Sequence, residues 1–353
     1  MKTLHIQGLR VSLPGTGRPV LDGVDLEVGA GQTVALVGES GSGKTLTSRA
    51  ALGMLPPGAV ASGVVEVDGQ DVLRLDPRAL RRLRATTAAM IFQDPRAAIN
   101  PVRRVGDFLT EVLRTHGAAD RASARRLALR TNGAADKASA RRRALVLLDA
   151  VGLPERVLRQ YPHELSGGML QRVMIAAALM ADPVLLLADE PTTALDVTTQ
   201  AEIVALLRDL QARFGTALLF VTHDLELAAV IADRVAVMYA GRIIETGVAG
   251  EVFADPKHPY TAALLAATPR LDAPMGRLAV IPGRVPDLRT VIQGCAFAGR
   301  CAHATDTCAG ERPETAAVPD RAEATVACWR ISSIAVCPPM SPVSPTRALF
   351  GPC

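Results

Sequence analysis

Polar and apolar positions alternate from residue 4 to 11 and again over 24–28, and each run predicts a short strand with one buried face. Residues 29–32 read as a turn. The apolar run 33–37 then passes into a glycine-rich loop and a helical pattern. Asp68 and Gly69 sit between the short runs 64–67 and 70–73, and an Asp-Gly pair suits a type I′ turn, so a hairpin is expected there. Further apolar runs at 88–92, 184–188, 217–221 and 234–239 are separated by helical patterns. Strands alternating with helices predict an α/β fold whose sheet is largely parallel and covered by helices.

Residues 104–182 carry no strand pattern and predict a helical insertion. Within it, residues 113–128 (LRTHGAADRASARRLA) recur as 129–144 (LRTNGAADKASARRRA), differing only at His116/Asn132, Arg121/Lys137 and Leu127/Arg143. Two short copies cannot build a solenoid, which needs several stacked units. A sixteen-residue step turns a helix by about 160° beyond whole turns, so one continuous helix would set the copies on opposed faces. One copy is therefore expected to be a solvated surface insertion broken at Gly117 or Gly133, with a functional role the lesser alternative. From residue 331 the chain is rich in Pro and Ser, which predicts a disordered tail over 331–353.

Composition changes this picture in a few places. Apolar residues make up 49% of the 353, enough for a large core, yet aromatics are only 3%, so Leu, Val and Ala must fill it. The net charge of +4 is spread out and gives no concentrated basic face, which argues against nucleic acid as a partner. The alternation at the N-terminus is unlike a secretion signal, and the most apolar stretches (174–180 and 184–188) are too short to span a bilayer. A soluble protein is expected, reaching a membrane only through partners.

The candidate chemistry begins at residues 38–45, which read GESGSGKT between a predicted strand and a predicted helix. That is the context of a phosphate-binding loop. Glycines Gly38, Gly41 and Gly43, with Ser40, let backbone N–H groups wrap an oligophosphate, and the helix N-terminus adds positive potential. Lys44 can reach the outer phosphates, and the Thr45 hydroxyl suits Mg²⁺. A glycine-rich turn with a chance lysine is the plain alternative, and the strand, loop and helix together argue against it. The run 184–188 ends in Asp189 and Glu190. Carboxylates on a strand beside such a loop can complete a Mg²⁺ shell, here Asp189, and polarise an attacking water, here Glu190.

Phosphate loops serve many machines, and residues 165–172 (LSGGMLQR) narrow the choice: they resemble the signature sequence of ABC transporter ATPases. The resemblance extends through residues 1–330. It covers Gln93 in IFQDP, similar to the Q-loop that senses Mg²⁺ and touches the membrane partner, and His223, similar to the switch histidine. Asp196, after Ala194 and Leu195, resembles the D-loop. Residues 91–101, 188–197, 257–261 and 281–286 resemble the oligopeptide and dipeptide importer ATPases, with nickel importers sharing many of these features.

The resemblance implies a nucleotide-binding domain over 1–255 with mixed sheet and a helical subdomain at about 104–182, then a Cys-rich extension over 256–330. It also implies an ATPase in which Ser166, Gly167 and Gly168 close over ATP held by a second cassette. The implied partners are that cassette, two transmembrane permeases and an extracytoplasmic binding protein, with the chain peripheral on the cytoplasmic face of the membrane. Two positions depart from the family pattern. Leu13 stands where an aromatic residue usually stacks on adenine, and Leu170 replaces a usual Arg in the signature.

All six cysteines lie from residue 295 onward. Cys295, Cys301, Cys308 and Cys328 are spaced by 5, 6 and 19 residues, without the paired knuckles of a zinc ribbon. Four thiolates can hold an iron–sulfur cluster, or zinc with help from His303, or they can stay unliganded. The resemblance implies a four-iron, four-sulfur cluster, read here as a structural staple. Cys337 and Cys353 in the tail read as bystanders.

Overall fold

The structure is a computed structural model, and it describes residues 2–116, 137–193, 195–268 and 280–329. Its strands are β1 (Lys2–Ser12), β2 (Leu21–Gly29), β3 (Thr33–Val37), β4 (Val60–Val67), β5 (Gln70–Asp71), β6 (Ala88–Ile91), β7 (Leu185–Asp189), β8 (Ala217–Thr222), β9 (Arg234–Tyr239), β10 (Arg242–Val248), β11 (Ala316–Ala317) and β12 (Thr325–Val326). They form a four-stranded sheet ordered β2-β1-β4-β5 and an eight-stranded sheet ordered β11-β12-β10-β9-β3-β8-β7-β6. The expected Asp-Gly hairpin joins β4 and β5, with Asp68 and Gly69 both at positive φ, 49° and 74°.

The centre of the large sheet is parallel, from β9 through β3, β8 and β7 to β6. Its strands read as unbroken apolar runs because both faces are covered. Leu185, Leu187, Leu219 and Val221 face the small sheet, while Leu186, Ala188, Leu218 and Phe220 face the helices. That second layer is built from the helices Val105–His116, Lys137–Ala150, Gly167–Leu179 and Val197–Phe214, which share Leu109, Leu113, Ala144, Leu147, Val173 and Leu207 as buried residues. The described residues of 104–182 contain helices and no strand. Most of the tandem duplication, residues 117–136, lies outside the described residues, as does the tail 331–353. No described helix is long and apolar enough to cross a membrane.

The sheet is mixed because β9 turns back into β10 through Ala240 and Gly241, both at positive φ, 47° and 86°. A Cβ on Gly241 would drive into the carbonyl of Val20, and Gly241 N–H donates to Ser42 O at 2.8 Å. The turn is thus wedged against the glycine-rich loop. Gly241→Ala should destabilise the protein by about 2 kcal/mol or more, read as a fall in melting temperature.

Residues after 255 extend this sheet and share its core. β12 pairs antiparallel with β10, Glu245 opposite Val326 and Thr246 opposite Thr325, and β11 pairs with β12. The helix Pro259–Ala267 buries Tyr260 against Tyr239 and Phe297. That helix is capped by His258, whose Nδ1 accepts from Tyr260 N–H at 3.0 Å. Complete burial pushes His258 down to about 3, so the ring is neutral and its acceptor is available.

Candidate nucleotide-binding and hydrolysis site

β3 is buried along its whole length and delivers the chain into the glycine-rich loop at the sheet's carboxyl edge. Gly38 has φ of 151°, and a Cβ there would collide with the carbonyl of Met238, so the loop packs against β9 at a distance only glycine allows. Gly41 and Gly43 also take positive φ, 79° and 109°, before the helix Lys44–Ala50 begins. Ser40 and Gly41 are exposed at the crown of the loop. Ser42 Oγ is buried with no hydrogen-bond partner among the described residues.

Lys44 is 5% exposed and folds back into the loop, where Nζ donates to Gly38 O at 2.8 Å and Glu39 O at 3.0 Å. Burial pulls its ammonium down from the usual range, and the charges of Glu190, Asp189 and Glu39 pull it back up. Next to it, the Thr45 hydroxyl donates to Asp189 Oδ1 at 2.8 Å. Asp189 is 2% exposed at the end of β7. Burial raises its pKa and the Thr45 hydrogen bond opposes the rise. The two side chains expected on Mg²⁺ therefore touch each other, one hydroxyl and one carboxylate oxygen, and this oxygen pair suits a hard divalent cation.

Glu190 follows in the left-handed region, φ 47°, its N–H bonded to Val221 O at 2.9 Å across to β8. That kink swings its carboxylate out of the sheet into a cluster of polar groups. Gln93 Nε2 donates to Oε2 at 3.2 Å, Thr193 Oγ1 donates to Oε2 at 2.9 Å, and His223 Nδ1 stands 3.2 Å from Oε1. Gln93, Glu190 and His223, separated by up to 130 positions in the chain, thus meet at one point. Thr193 was missed. Its only sequence cue is a position three residues after Glu190 in the turn that the kink creates.

Ser166, Gly167, Gly168 and Asp196 form a separate group. Ser166 caps the helix Gly167–Leu179, its Oγ accepting from Met169 N–H at 3.2 Å. Asp196 caps Val197–Phe214, accepting from Thr199 N–H at 3.0 Å and Thr199 Oγ1 at 2.8 Å, bonds that hold its carboxyl below the usual range. A Cβ on Gly168 would lie 2.8 Å from Thr199 Cγ2, so the two capped helix starts abut. Among the described residues, no hydrogen bond or ion pair joins this group to Lys44, Thr45, Asp189 or Glu190. Ala194 lies outside the described residues. Leu170 is buried in the helical core, facing away from the exposed cap, and Leu13 is half-buried beside the loop 14–19.

The four cysteines line one cavity with Phe297, His258, His303 and Trp329, and Cys295 N–H donates to Cys308 O at 2.8 Å. No disulfide joins them among the described residues. Burial raises the Cys295 thiol, and the neighbouring Cys308, Cys328 and Cys301 add to the rise. Among the described residues, however, no group of three or more His, Cys, Asp or Glu side chains is disposed to hold a metal ion. The iron–sulfur expectation therefore gains no support from the side-chain geometry. The zinc alternative gains none from it either.

A phosphate loop, a strand-end carboxylate pair and a capped Ser-Gly-Gly helix on one mixed sheet are together the features of an ABC-type ATP-binding cassette. Residues 21–193 match the ABC transporter family, and residues 244–308 match the oligopeptide/dipeptide transporter C-terminal region. The solved dimeric ABC transporter cassette MJ0796 superposes with a TM-score of 0.58 at 28% identity, covering 70% of this chain and 98% of that one. The oligopeptide transport ATP-binding protein OppD of Salmonella typhimurium is 43% identical over 325 residues, 91% of this chain and 92% of the relative. The dipeptide transport ATP-binding protein DppD of Bacillus subtilis is 41% identical over 334 residues, 93% and 94% respectively. The chain belongs to the oligopeptide and dipeptide transport ATP-binding family of ABC transporters, and it is an ATPase.

Proposed function

We propose that this chain powers the import of peptides across the cytoplasmic membrane, pairing with a second cassette beneath two permease subunits fed by an extracytoplasmic binding protein. The observation that carries the ATPase chemistry is the carboxylate of Glu190, held by Gln93 and Thr193 next to His223 and one residue from the Thr45–Asp189 contact. The peptide cargo rests on the match of residues 244–308 and on what the relatives are named for.

In this reading the backbone of Gly38, Ser40, Gly41 and Gly43 wraps the phosphates, and Lys44 exchanges carbonyl oxygens for phosphate oxygens. Thr45 and Asp189 hold Mg²⁺, with Gln93 at its edge, and the cation supplies charge neutralisation at the outer phosphates. Glu190 accepts a proton from the attacking water, and His223 steadies the γ-phosphate. The exposed cap formed by Ser166, Gly167, Gly168 and Asp196 serves ATP held by the partner cassette, which accounts for its separation from Lys44 in a single chain. The chain sits on the cytoplasmic face of the membrane through its partners, Gln93 lying nearest the permeases.

Cysteines Cys295, Cys301, Cys308 and Cys328 take a four-iron, four-sulfur cluster in this proposal, as the reading that uses all four thiols of one cavity. The reading rests on the match of residues 244–308 to the oligopeptide/dipeptide transporter C-terminal region. Iron and sulfide analysis of anaerobically purified protein tests it, and an iron-free, colourless preparation would remove it.

The whole proposal is tested by tagging the chain, purifying it from native membranes and identifying the associated proteins by mass spectrometry. Two permeases and a second cassette are expected, together with loss of labelled-peptide uptake when the chain is deleted. Recovery of ribosomal or DNA-associated proteins alone would overturn the transport reading.

A further inference from the structure

We propose that Arg300 and Tyr260, both in the segment beyond the cassette, are positioning residues for the phosphate loop, which they clamp through Glu39. The inference rests on reading residues 38–45 as the ATP phosphate site. The Arg300 guanidinium forks onto the Glu39 carboxylate, Nη1 to Oε2 at 2.6 Å and Nη2 to Oε1 at 2.9 Å. Its side chain is 7% exposed, so the pair is largely out of water. The same guanidinium donates to Pro282 O at 2.7 Å and Tyr239 Oη at 3.3 Å, which fixes it independently of Glu39. Tyr260 holds the other end of the residue, its buried Oη accepting from Glu39 N–H at 2.8 Å.

The consequence for the loop follows from what lies on the inner side of Glu39. Its carbonyl, with that of Gly38, accepts from Lys44 Nζ. Glu39 is thus gripped from outside by the extension and from inside by the lysine that meets phosphate. A run of glycine and serine has many backbone states to lose, and holding its first residues in place removes part of that entropy cost before ATP arrives. The anchor behind the clamp is stiff. Tyr239, Tyr260 and Phe297 pack as three mutually contacting rings with centroids 4.6, 5.4 and 5.3 Å apart, and Arg300 lies over two of them. Arg300 also offsets the negative charge that Glu39 brings to a site meant for polyphosphate.

The clamp touches the loop and none of Gln93, Glu190, Thr193 or His223, so it should govern affinity and leave the chemical step alone. Arg300→Ala should weaken MgATP binding about ten- to a hundredfold, the range of a charged hydrogen bond. It should raise KM for ATP by a similar factor, with kcat at saturating ATP within about twofold of wild type. Arg300→Lys should fall between, since it keeps the charge and loses the fork. Adding Glu39→Gln to Arg300→Ala should recover part of the affinity by removing the uncompensated carboxylate.

The experiment measures MgATP binding by calorimetry and steady-state ATPase kinetics on the purified full-length chain. Lys44→Ala is the control for the site, and nucleotide-free melting is the check on folding. Wild type that binds no MgATP would sink the nucleotide reading itself. Wild type that binds, with Lys44→Ala defective and Arg300→Ala unchanged in KM, would overturn the clamp alone. So would a fall in kcat at constant KM. Should Arg300→Ala not fold, Arg300→Lys and Tyr260→Phe pose the same question, and unaltered KM in both would overturn the proposal equally.

Discussion

Glu190→Gln should lower ATP turnover by about a hundred- to ten-thousandfold while leaving MgATP binding intact, the range associated with losing a positioned general base. The substitution keeps size and shape and removes the negative charge. Oε2 accepts from Gln93 Nε2 and Thr193 Oγ1, and an amide oxygen can still accept both, so the cluster should keep its arrangement. What is lost is the ability to take a proton from water. Glu190 also sits in the left-handed region and is tied to β8 through Val221, which aims the side chain without help from nucleotide. Because binding survives and hydrolysis does not, the variant should accumulate as an ATP-bound dimer, visible by size-exclusion chromatography with MgATP. Turnover equal to wild type would remove Glu190 from its assigned role.

Lys44→Ala should cost at least about a hundredfold in MgATP affinity, the scale of a charged hydrogen-bonding group removed from a buried site. Lys44 lies at 5% exposure with its ammonium satisfied by two loop carbonyls, and three carboxylates nearby favour its charged form. Alanine deletes the cation and also frees the carbonyls of Gly38 and Glu39, so the loop loses its internal brace. Arginine should not rescue, because a planar fork cannot occupy the position from which a compact ammonium reaches both carbonyls. Equilibrium binding of a fluorescent ATP analogue measures the effect, and near-wild-type affinity in Lys44→Ala would contradict the assignment.

Much of the site was readable because its parts are local. A buried strand, a glycine-rich loop and a helix start are written consecutively in residues 33–50, and the strand-end acids in 185–190. The Asp68-Gly69 hairpin and the helices among the described residues of 104–182 were legible for the same reason. The clamp was not. Glu39 meets Tyr260 and Arg300 across 221 and 261 positions, and nothing in the period of either segment announces the meeting. In the sequence, residues 257–261 carry only a family resemblance. The edge pairing of β10 with β12 is equally silent, because a two-residue strand has no pattern to read. The cysteine set was legible only through the family resemblance, and the fold brings all four of its members to one cavity although they span 33 positions.

The three-ring cluster of Tyr239, Tyr260 and Phe297 bears on how proteins of this kind can be recombined. An exchange of C-terminal segments between relatives, with its crossover near residue 255, would leave Tyr239 on one parental segment and Tyr260 and Phe297 on the other. The same crossover would divide β10 from β12 and Glu39 from Arg300. Hybrids of that design inherit mismatched halves of one sheet and one aromatic joint. The chain from β1 to β12 is therefore inherited as one unit, and a crossover that respects it falls after Val326 or before the first strand.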